Sequence, residues 1–216
     1  MGIARLALSA QPLARRPLAV ARGYLDALIA AALLALFLIT FVIRTFYIPS
    51  VSMVPTLQVR DVLLVDEIAY RLGRPADGDV AVFTLPTGAK GTDYIKRVIG
   101  TPGESIEVAN GTVYRNGNAL SEPYENEAPT YDLKIMRYGI YVNGRALNRR
   151  AAQIPPRALW QSPDRVPEGF YFLLGDNRNY SDDSHVWGFV RKSNFIGRAF
   201  LILWPLNRLG ILQKWR

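Results

Sequence analysis

The chain has 216 residues, half of them hydrophobic, with no cysteine and a single histidine. It therefore has no disulfide framework and no cysteine nucleophile, and one histidine cannot supply the two or three imidazoles of a typical zinc site, so we expect no metal or other cofactor. The net charge of +8 includes no lysine-rich run and no basic helix with interleaved aromatic residues, which argues against nucleic-acid binding.

An apolar run occupies residues 27–43, with Thr40 as its only polar member. With its flanks it reaches about 20 residues, enough to cross a ~30 Å hydrocarbon core at ~1.5 Å per residue. Its length, and the absence of small residues at its C-terminal end, argue against a cleaved signal peptide. Several arginines precede the run, and only Arg44 follows it closely. The positive-inside rule then predicts a basic cytoplasmic N-terminus over 1–23, a single-pass anchor over 24–46, and an exported remainder.

The exported part shows the patterns of short strands and no long amphipathic helix. Apolar, β-rich runs are separated by turn signals, and Asn110-Gly111 predicts a hairpin with a two-residue turn. The stretch from about 121 to 168 is more polar and contains six prolines, which predicts a smaller inserted β/loop region over 104–169. The predicted fold class is therefore mostly β: a transmembrane helix, then a main β domain over 47–103 and 170–216, interrupted by 104–169.

The first candidate for chemistry is the segment 48–57, which carries Ser50 and Ser52 between Pro49 and Pro55. Residues two apart project to the same side of an extended chain. One hydroxyl could then attack a carbonyl while the other stabilises the oxyanion. The competing interpretation is a proline-serine linker between the anchor and the domain.

The second candidate is Lys96, which lies in a strand-like apolar run over 93–100. A lysine is a general base only when neutral, so burial would have to lower its pKa from about 10.4. The alternative is a strand lysine whose ammonium reaches solvent. Neighbouring Arg97 is expected on the opposite face, meeting solvent or a carboxylate.

The third candidate is the polar loop over 175–188, which follows an apolar strand and is typical of a loop that supports a site. A plain solvated loop is one alternative. A calcium-binding loop is another, although the spacing lacks the EF-hand pattern. His185 is the only imidazole available for a Ser/His/Asp triad with Ser52, which is a further alternative.

Together these segments resemble the type I signal peptidases, membrane-anchored serine proteases with a Ser/Lys dyad. The matching motifs occur in the family's order at 50–57, 78–83, 94–100 and 175–184. The resemblance covers about 24–103 and 170–200. Val51 stands where many members have glycine, and Asn179-Tyr180 replaces a more usual Asp-Asn pair. The region 104–169 is shorter than the larger second domains of the family and lacks their cysteines.

The resemblance implies roles for individual residues. Ser52 would be the nucleophile, Lys96 the general base, and Ser181 the residue that orients the lysine ammonium. The oxyanion hole would consist of the Ser52 backbone N–H and the Ser50 hydroxyl. A supporting polar network would comprise Asp176, Arg178 and Asp183. The pocket for the small residue before the cut would be lined by Ile48, Met53, Leu57, Tyr94 and Ile95. The residues near the pocket two positions upstream would be Phe46, Val82 and Asp93.

The implied function is removal of signal peptides after small residues spaced A-x-A, at the outer face of a bacterial cytoplasmic membrane. The partners would be preprotein signal peptides and the lipid bilayer. One alternative is a membrane-tethered β-domain that binds exported partners without catalysis. Another is a relative of Ser/Lys self-cleaving repressors, which normally carry a DNA-binding module. The C-terminal stretch over 200–215 would either rest on the bilayer surface or form a core strand with a basic tail.

Overall fold

The computed structural model describes residues 15–41, 43–85, 92–149 and 152–213. The chain divides into two compact units, Met1–Phe41 and Val42–Arg216. In the first unit, helix α1 (Arg15–Phe41) begins earlier than the anchor predicted over 24–46, and it ends earlier. Residues 1–14 of the predicted cytoplasmic segment lie outside the described part. Among the residues that the structure describes, no helix combines the length and apolarity needed to cross a membrane.

The second unit is mostly β, which confirms that part of the predicted fold class. Its strands are β1 Ile43–Tyr47, β2 Val62–Asp66, β3 Val80–Thr84, β4 Asp93–Gly100, β5 Ile106–Ala109, β6 Thr112–Arg115, β7 Asn118–Ala119, β8 Leu133–Met136, β9 Gly139–Val142, β10 Arg145–Ala146, β11 Phe170–Leu174, β12 Val190–Arg191, β13 Phe195–Trp204 and β14 Gly210–Ile211. Its α-helices are α2 Ile68–Leu72 and α3 Ser184–Trp187, and its 3-10 turns are Arg157–Leu159, Arg178–Tyr180, Lys192–Asn194 and Leu206–Arg208.

The larger sheet has the order β1-β2-β13-β3-β4-β11-β12, with β14 added to β13. Strand β1 pairs antiparallel with β2, from Ile43 opposite Asp66 to Tyr47 opposite Val62. Ile43–Phe46, predicted as the end of the anchor, therefore belong to this sheet, because their backbone groups find partners in β2. The sheet also aligns β4 between β3 and β11, which places Lys96 and Arg97 at the centre of the unit.

The smaller sheet, ordered β10-β9-β8-β5-β6-β7, lies within the region predicted as β/loop insertion over 104–169. The hairpin predicted at Asn110-Gly111 joins β5 to β6. Both turn residues have positive φ, 50° and 75°, as a two-residue hairpin turn of this type requires. The proline-containing stretches over 120–132 and 152–169 contain no strand of either sheet, as expected for the loop part of the β/loop region.

Both sheets contribute to one apolar core cluster. In β8, Leu133 and Ile135 are buried while Lys134 between them is exposed, so one face of the small sheet points inward. That face packs with residues of the larger sheet such as Ile99 and Phe172. This packing holds the small sheet, and with it the segment that joins its strands β7 and β8, against the larger sheet.

Candidate active site

Ser52 lies in a turn whose ends are tied to each other. The N–H of Ile48 donates to the carbonyl of Asp61 at 2.9 Å, and the N–H of Arg60 donates back to Ile48 at 2.9 Å. Met53 and Leu57 are fully buried and fix the turn to the sheet. The apolar side chains of this segment thus hold Ser52 in place, and its own side chain is nearly buried.

Lys96 reaches Ser52 from strand β4. Its Nζ donates to the Oγ of Ser52 at 2.8 Å and to the carbonyl of Ile95 at 3.0 Å. The Oγ of Ser50 lies 3.3 Å from the Oγ of Ser52. The structure therefore brings together the three residues predicted to carry the chemistry.

The lysine is 4 % exposed, and burial lowers its pKa from the ordinary value because the charged form loses its hydration. The carboxylates of Asp183, Asp182 and Asp176 act in the opposite direction but do not cancel this effect. A lowered pKa increases the fraction of Lys96 that is neutral at a given pH, and only the neutral amine can act as a general base.

Asp182 allows the electrostatic balance at Lys96 to be tested without disturbing the fold, because its side chain is exposed. Asp182→Asn removes a charge that raises the pKa of Lys96. We expect the acidic limb of kcat/KM against pH to move to lower pH, since the neutral amine then exists at lower pH. Added salt should diminish the difference, because it screens an exposed charge. A limb that stays in place at low ionic strength would contradict this account.

Arg97, the neighbour of Lys96, meets a carboxylate, one of the two environments expected for it. Its Nε and one terminal nitrogen donate to Asp176 at 2.8 and 2.6 Å, and its other terminal nitrogen donates to the Gly78 carbonyl at 3.0 Å. Both side chains are fully buried. This pair links β4 to the start of the 175–188 loop, and through Gly78 to the motif over 78–83.

Asp183 holds together the first part of the loop over 175–188. One of its oxygens accepts from the N–H of Gly175 at 2.9 Å, and the other accepts from the backbone N–H and Nδ1 of His185 at 3.1 and 2.7 Å. The His185 ring stacks on Tyr131 with centroids 4.4 Å apart. In the described residues no hydrogen bond joins His185 to Ser52, so the geometry favours the lysine over an imidazole triad.

Ser181 is buried close to the nucleophile without bonding to Lys96. In the described part of the chain its Oγ has no hydrogen-bond partner, and the lysine donates to Ser52 and Ile95 instead. A Cβ at Gly175 would lie 2.2 Å from this Oγ and 2.5 Å from the Ser52 carbonyl oxygen. Glycine is therefore needed at 175 for the two loops to approach this closely.

Sequence reasoning missed a group of residues in the segment between β7 and β8. Arg178 donates to Glu122 at 2.7 and 2.8 Å and to Glu125 at 3.2 Å, and it also donates to the Gly175 carbonyl at 3.0 Å. The Tyr124 ring lies over the Arg97 guanidinium, 3.8 Å from its centroid. The acidic residues over 122–127 were the available signal, since buried arginines require such partners.

Most of the predicted pocket residues lie together. Five of them share one buried apolar cluster, with Phe46 packed against it: Ile48, Met53, Leu57, Val82 and Ile95. Tyr94 lies on the other face of β4, stacked on Phe83 with centroids 6.1 Å apart, because successive strand residues alternate in direction. Asp93 is exposed at the first position of that strand.

The chain is similar to known signal peptidases over most of its length. The family model described as "Signal peptidase, peptidase S26" matches residues 21–204. A probable signal peptidase I-2 from Synechocystis is 39% identical over 189 residues, covering 86% of this chain and 74% of the relative. Signal peptidase I of Leptolyngbya laminosa is 40% identical over 188 residues, covering 84% and 79%. A solved signal peptidase I from Enterococcus faecalis is 35% identical, with a TM-score of 0.41 and coverage of 58% of this chain and 96% of that one.

Proposed function

Because the chain belongs to the signal peptidase family S26, we propose that Ser52 and Lys96 are the catalytic dyad with which it cleaves signal peptides from preproteins. The observation that carries the assignment is the 2.8 Å hydrogen bond between a nearly buried lysine and a serine hydroxyl. Membership of a family of serine endopeptidases disfavours a β-domain that only binds exported partners.

The proposed reaction is acyl transfer. Neutral Lys96 takes the proton of the Ser52 hydroxyl as Oγ attacks the scissile carbonyl, and the resulting ammonium gives a proton to the leaving amine. The Ser52 N–H and the Ser50 hydroxyl stabilise the oxyanion. Water, deprotonated by neutral Lys96, then hydrolyses the ester and releases the signal peptide.

The surrounding residues support this chemistry in the proposal. Asp176, Arg178 and Asp183 hold the 175–188 loop by the contacts described above, and Ser181 fills the space beside the Ser52 carbonyl. The apolar cluster around Ile48, Met53 and Ile95 forms the wall of the substrate pocket. A shallow apolar pocket rejects large side chains, which accounts for cleavage after small residues in an A-x-A pattern.

Covalent labelling tests the dyad. A penem-type acylating inhibitor should add its mass to the peptide that contains Ser52, measured by mass spectrometry of a digest. The adduct should be absent from Ser52→Ala and from Lys96→Ala. A label on another residue, or an equal label in Lys96→Ala, would remove the assignment.

We also propose that the protein is anchored in the bacterial cytoplasmic membrane by the part of the predicted anchor that precedes strand β1, with the N-terminus cytoplasmic and the catalytic unit outside. The support is the apolar run over 27–43 and the arginines before it. The side chains of residues 37–42 lie outside the described part. Alkaline carbonate extraction of bacterial membranes should leave the full chain in the pellet, whereas release into the supernatant would contradict an integral anchor.

The catalytic unit also has an exposed apolar surface near its C-terminal end, formed by Trp204, Leu206, Leu209 and Ile211. Arg208, beside them, is bound to Asp61 at 2.9 Å. We propose that this surface touches the bilayer, where tryptophan and leucine are stabilised at the interface. Lys214, Trp215 and Arg216 of the same stretch lie outside the described residues. Replacing Leu206 and Ile211 with serine should weaken binding of a chain lacking the anchor to anionic liposomes, and unchanged binding would contradict the proposal.

A further inference from the structure

We infer that Asn177 is a positioning residue that fixes the direction in which the Ser52 N–H donates to the oxyanion. The inference rests on the proposed dyad and goes beyond it by naming what holds the oxyanion hole in shape. Asn177 follows the Arg97–Asp176 pair and has an almost fully buried side chain. It contacts the nucleophile turn from the opposite loop.

Asn177 binds two consecutive carbonyls of that turn. Its backbone N–H donates to the carbonyl of Ser52 at 3.1 Å, and its side-chain Nδ2 donates to the carbonyl of Val51 at 3.1 Å. The Val51 carbonyl also accepts from the N–H of Val54 at 3.1 Å. Two donors therefore hold this carbonyl from within the protein.

The Val51 carbonyl and the Ser52 N–H belong to the same peptide unit. In a planar trans peptide the C=O and N–H bonds point in opposite directions. Fixing the carbonyl toward Asn177 therefore fixes the N–H away from it. Among the described residues the Ser52 N–H donates to no protein atom, which leaves it available for an oxygen of the substrate.

Asn126 determines which way the Asn177 amide is turned. Its Nδ2 donates to the Oδ1 of Asn177 at 3.3 Å, so that the Nδ2 of Asn177 faces Val51. The backbone N–H of Asn126 donates to the Asp176 carbonyl at 3.0 Å and holds it beside the loop. The segment between β7 and β8 thus reaches the oxyanion hole through a chain of two amides.

The test is steady-state cleavage of a purified preprotein by the full-length enzyme in detergent. Asn177→Ala should lower kcat by roughly ten- to a hundredfold, somewhat less than loss of an oxyanion donor, with KM within about twofold. The acidic limb of the pH profile should not move, because Lys96 keeps its partners. Asn177→Asp has nearly the same size but turns an oxygen toward the Val51 carbonyl, so it should be at least as slow.

Asn179 provides a matched control. It joins the same two segments, accepting from the Thr130 N–H at 2.8 Å and donating to the Ala128 carbonyl at 3.0 Å, but within the described part of the chain it forms no hydrogen bond with the nucleophile turn. Asn179→Ala should keep kcat within about twofold. Equal losses in Asn179→Ala and Asn177→Ala would mean that only the joining of the segments matters, which would overturn the inference.

Asn126→Asp decides the question should Asn177→Ala fail to fold. The new carboxylate at position 126 should repel the Oδ1 of Asn177. This favours the opposite orientation of the Asn177 amide, in which Oδ1 instead of Nδ2 faces the Val51 carbonyl, so kcat should fall as it does in Asn177→Ala. Where both variants fold, the double variant Asn126→Asp/Asn177→Ala should be no slower than Asn177→Ala alone, because both act through one amide. Wild-type kcat in Asn126→Asp, or a change confined to KM, would overturn the inference. An active Ser52→Ala enzyme would instead refute the proposed dyad.

Discussion

Lys96→Met is expected to lower preprotein cleavage by at least about 10³-fold at neutral pH, and Ser52→Ala by at least as much. Methionine fills the space of a lysine stem in a buried site but has no amine to accept the serine proton. Alanine at 52 removes the nucleophile and leaves the turn packed through Met53 and Leu57. The rate is measured with purified enzyme and a preprotein, and the cut is located by N-terminal sequencing of the mature product.

The double variant separates a dyad from two independent contributions. Because Ser52 and Lys96 act in one proton transfer, the double variant should be no slower than either single variant. Lys192→Met is the control for loss of a lysine, since Lys192 donates at 3.4 Å to the Tyr70 carbonyl, away from the dyad. Wild-type turnover by Ser52→Ala, or equal losses in Lys192→Met and Lys96→Met, would refute the assignment.

The parts of the site that could be predicted from sequence are those whose residues lie close together in the chain. The spacing of Ser50 and Ser52, and the apolar run around Lys96, identified the hydroxyl of Ser50 and the amine of Lys96, which the structure places 3.3 and 2.8 Å from the Oγ of Ser52. The polar loop after β11 was likewise recognisable from its composition. These predictions needed only local patterns and the resemblance of ordered motifs.

The remainder depends on contacts between distant parts of the chain. Glu122 and Asn126 lie more than 50 positions from their partners Arg178 and Asn177, in a region interpreted as β/loop insertion. The strands of the small sheet are only two to four residues long, too short for a clear alternating pattern. The inserted region therefore supports the candidate site through side chains that its sequence did not identify.

Arg97→Met is expected to lower the free energy of unfolding by about 3–5 kcal/mol, because it leaves the Asp176 carboxylate buried without its partner. Both members of this pair are fully buried, and the guanidinium binds the carboxylate through two nitrogens. Arg97→Lys keeps the charge but loses the two-nitrogen contact and the stacking on Tyr124, so its loss should be intermediate. Urea unfolding of the full chain in detergent, followed by tryptophan fluorescence, measures these differences.

A double-mutant cycle shows whether the buried charge or the lost packing is responsible. Arg97→Met/Asp176→Leu replaces both charges with apolar groups, so it should be more stable than Arg97→Met alone. The exposed pair Lys134–Glu107, whose nitrogen and oxygen lie 2.9 Å apart, is the control. Lys134→Met should cost under about 1 kcal/mol, because water already solvates both groups. Equal losses at the two pairs would refute the role assigned to burial. A double variant less stable than Arg97→Met would show that the unpaired Asp176 carboxylate is not the cause of the loss in Arg97→Met.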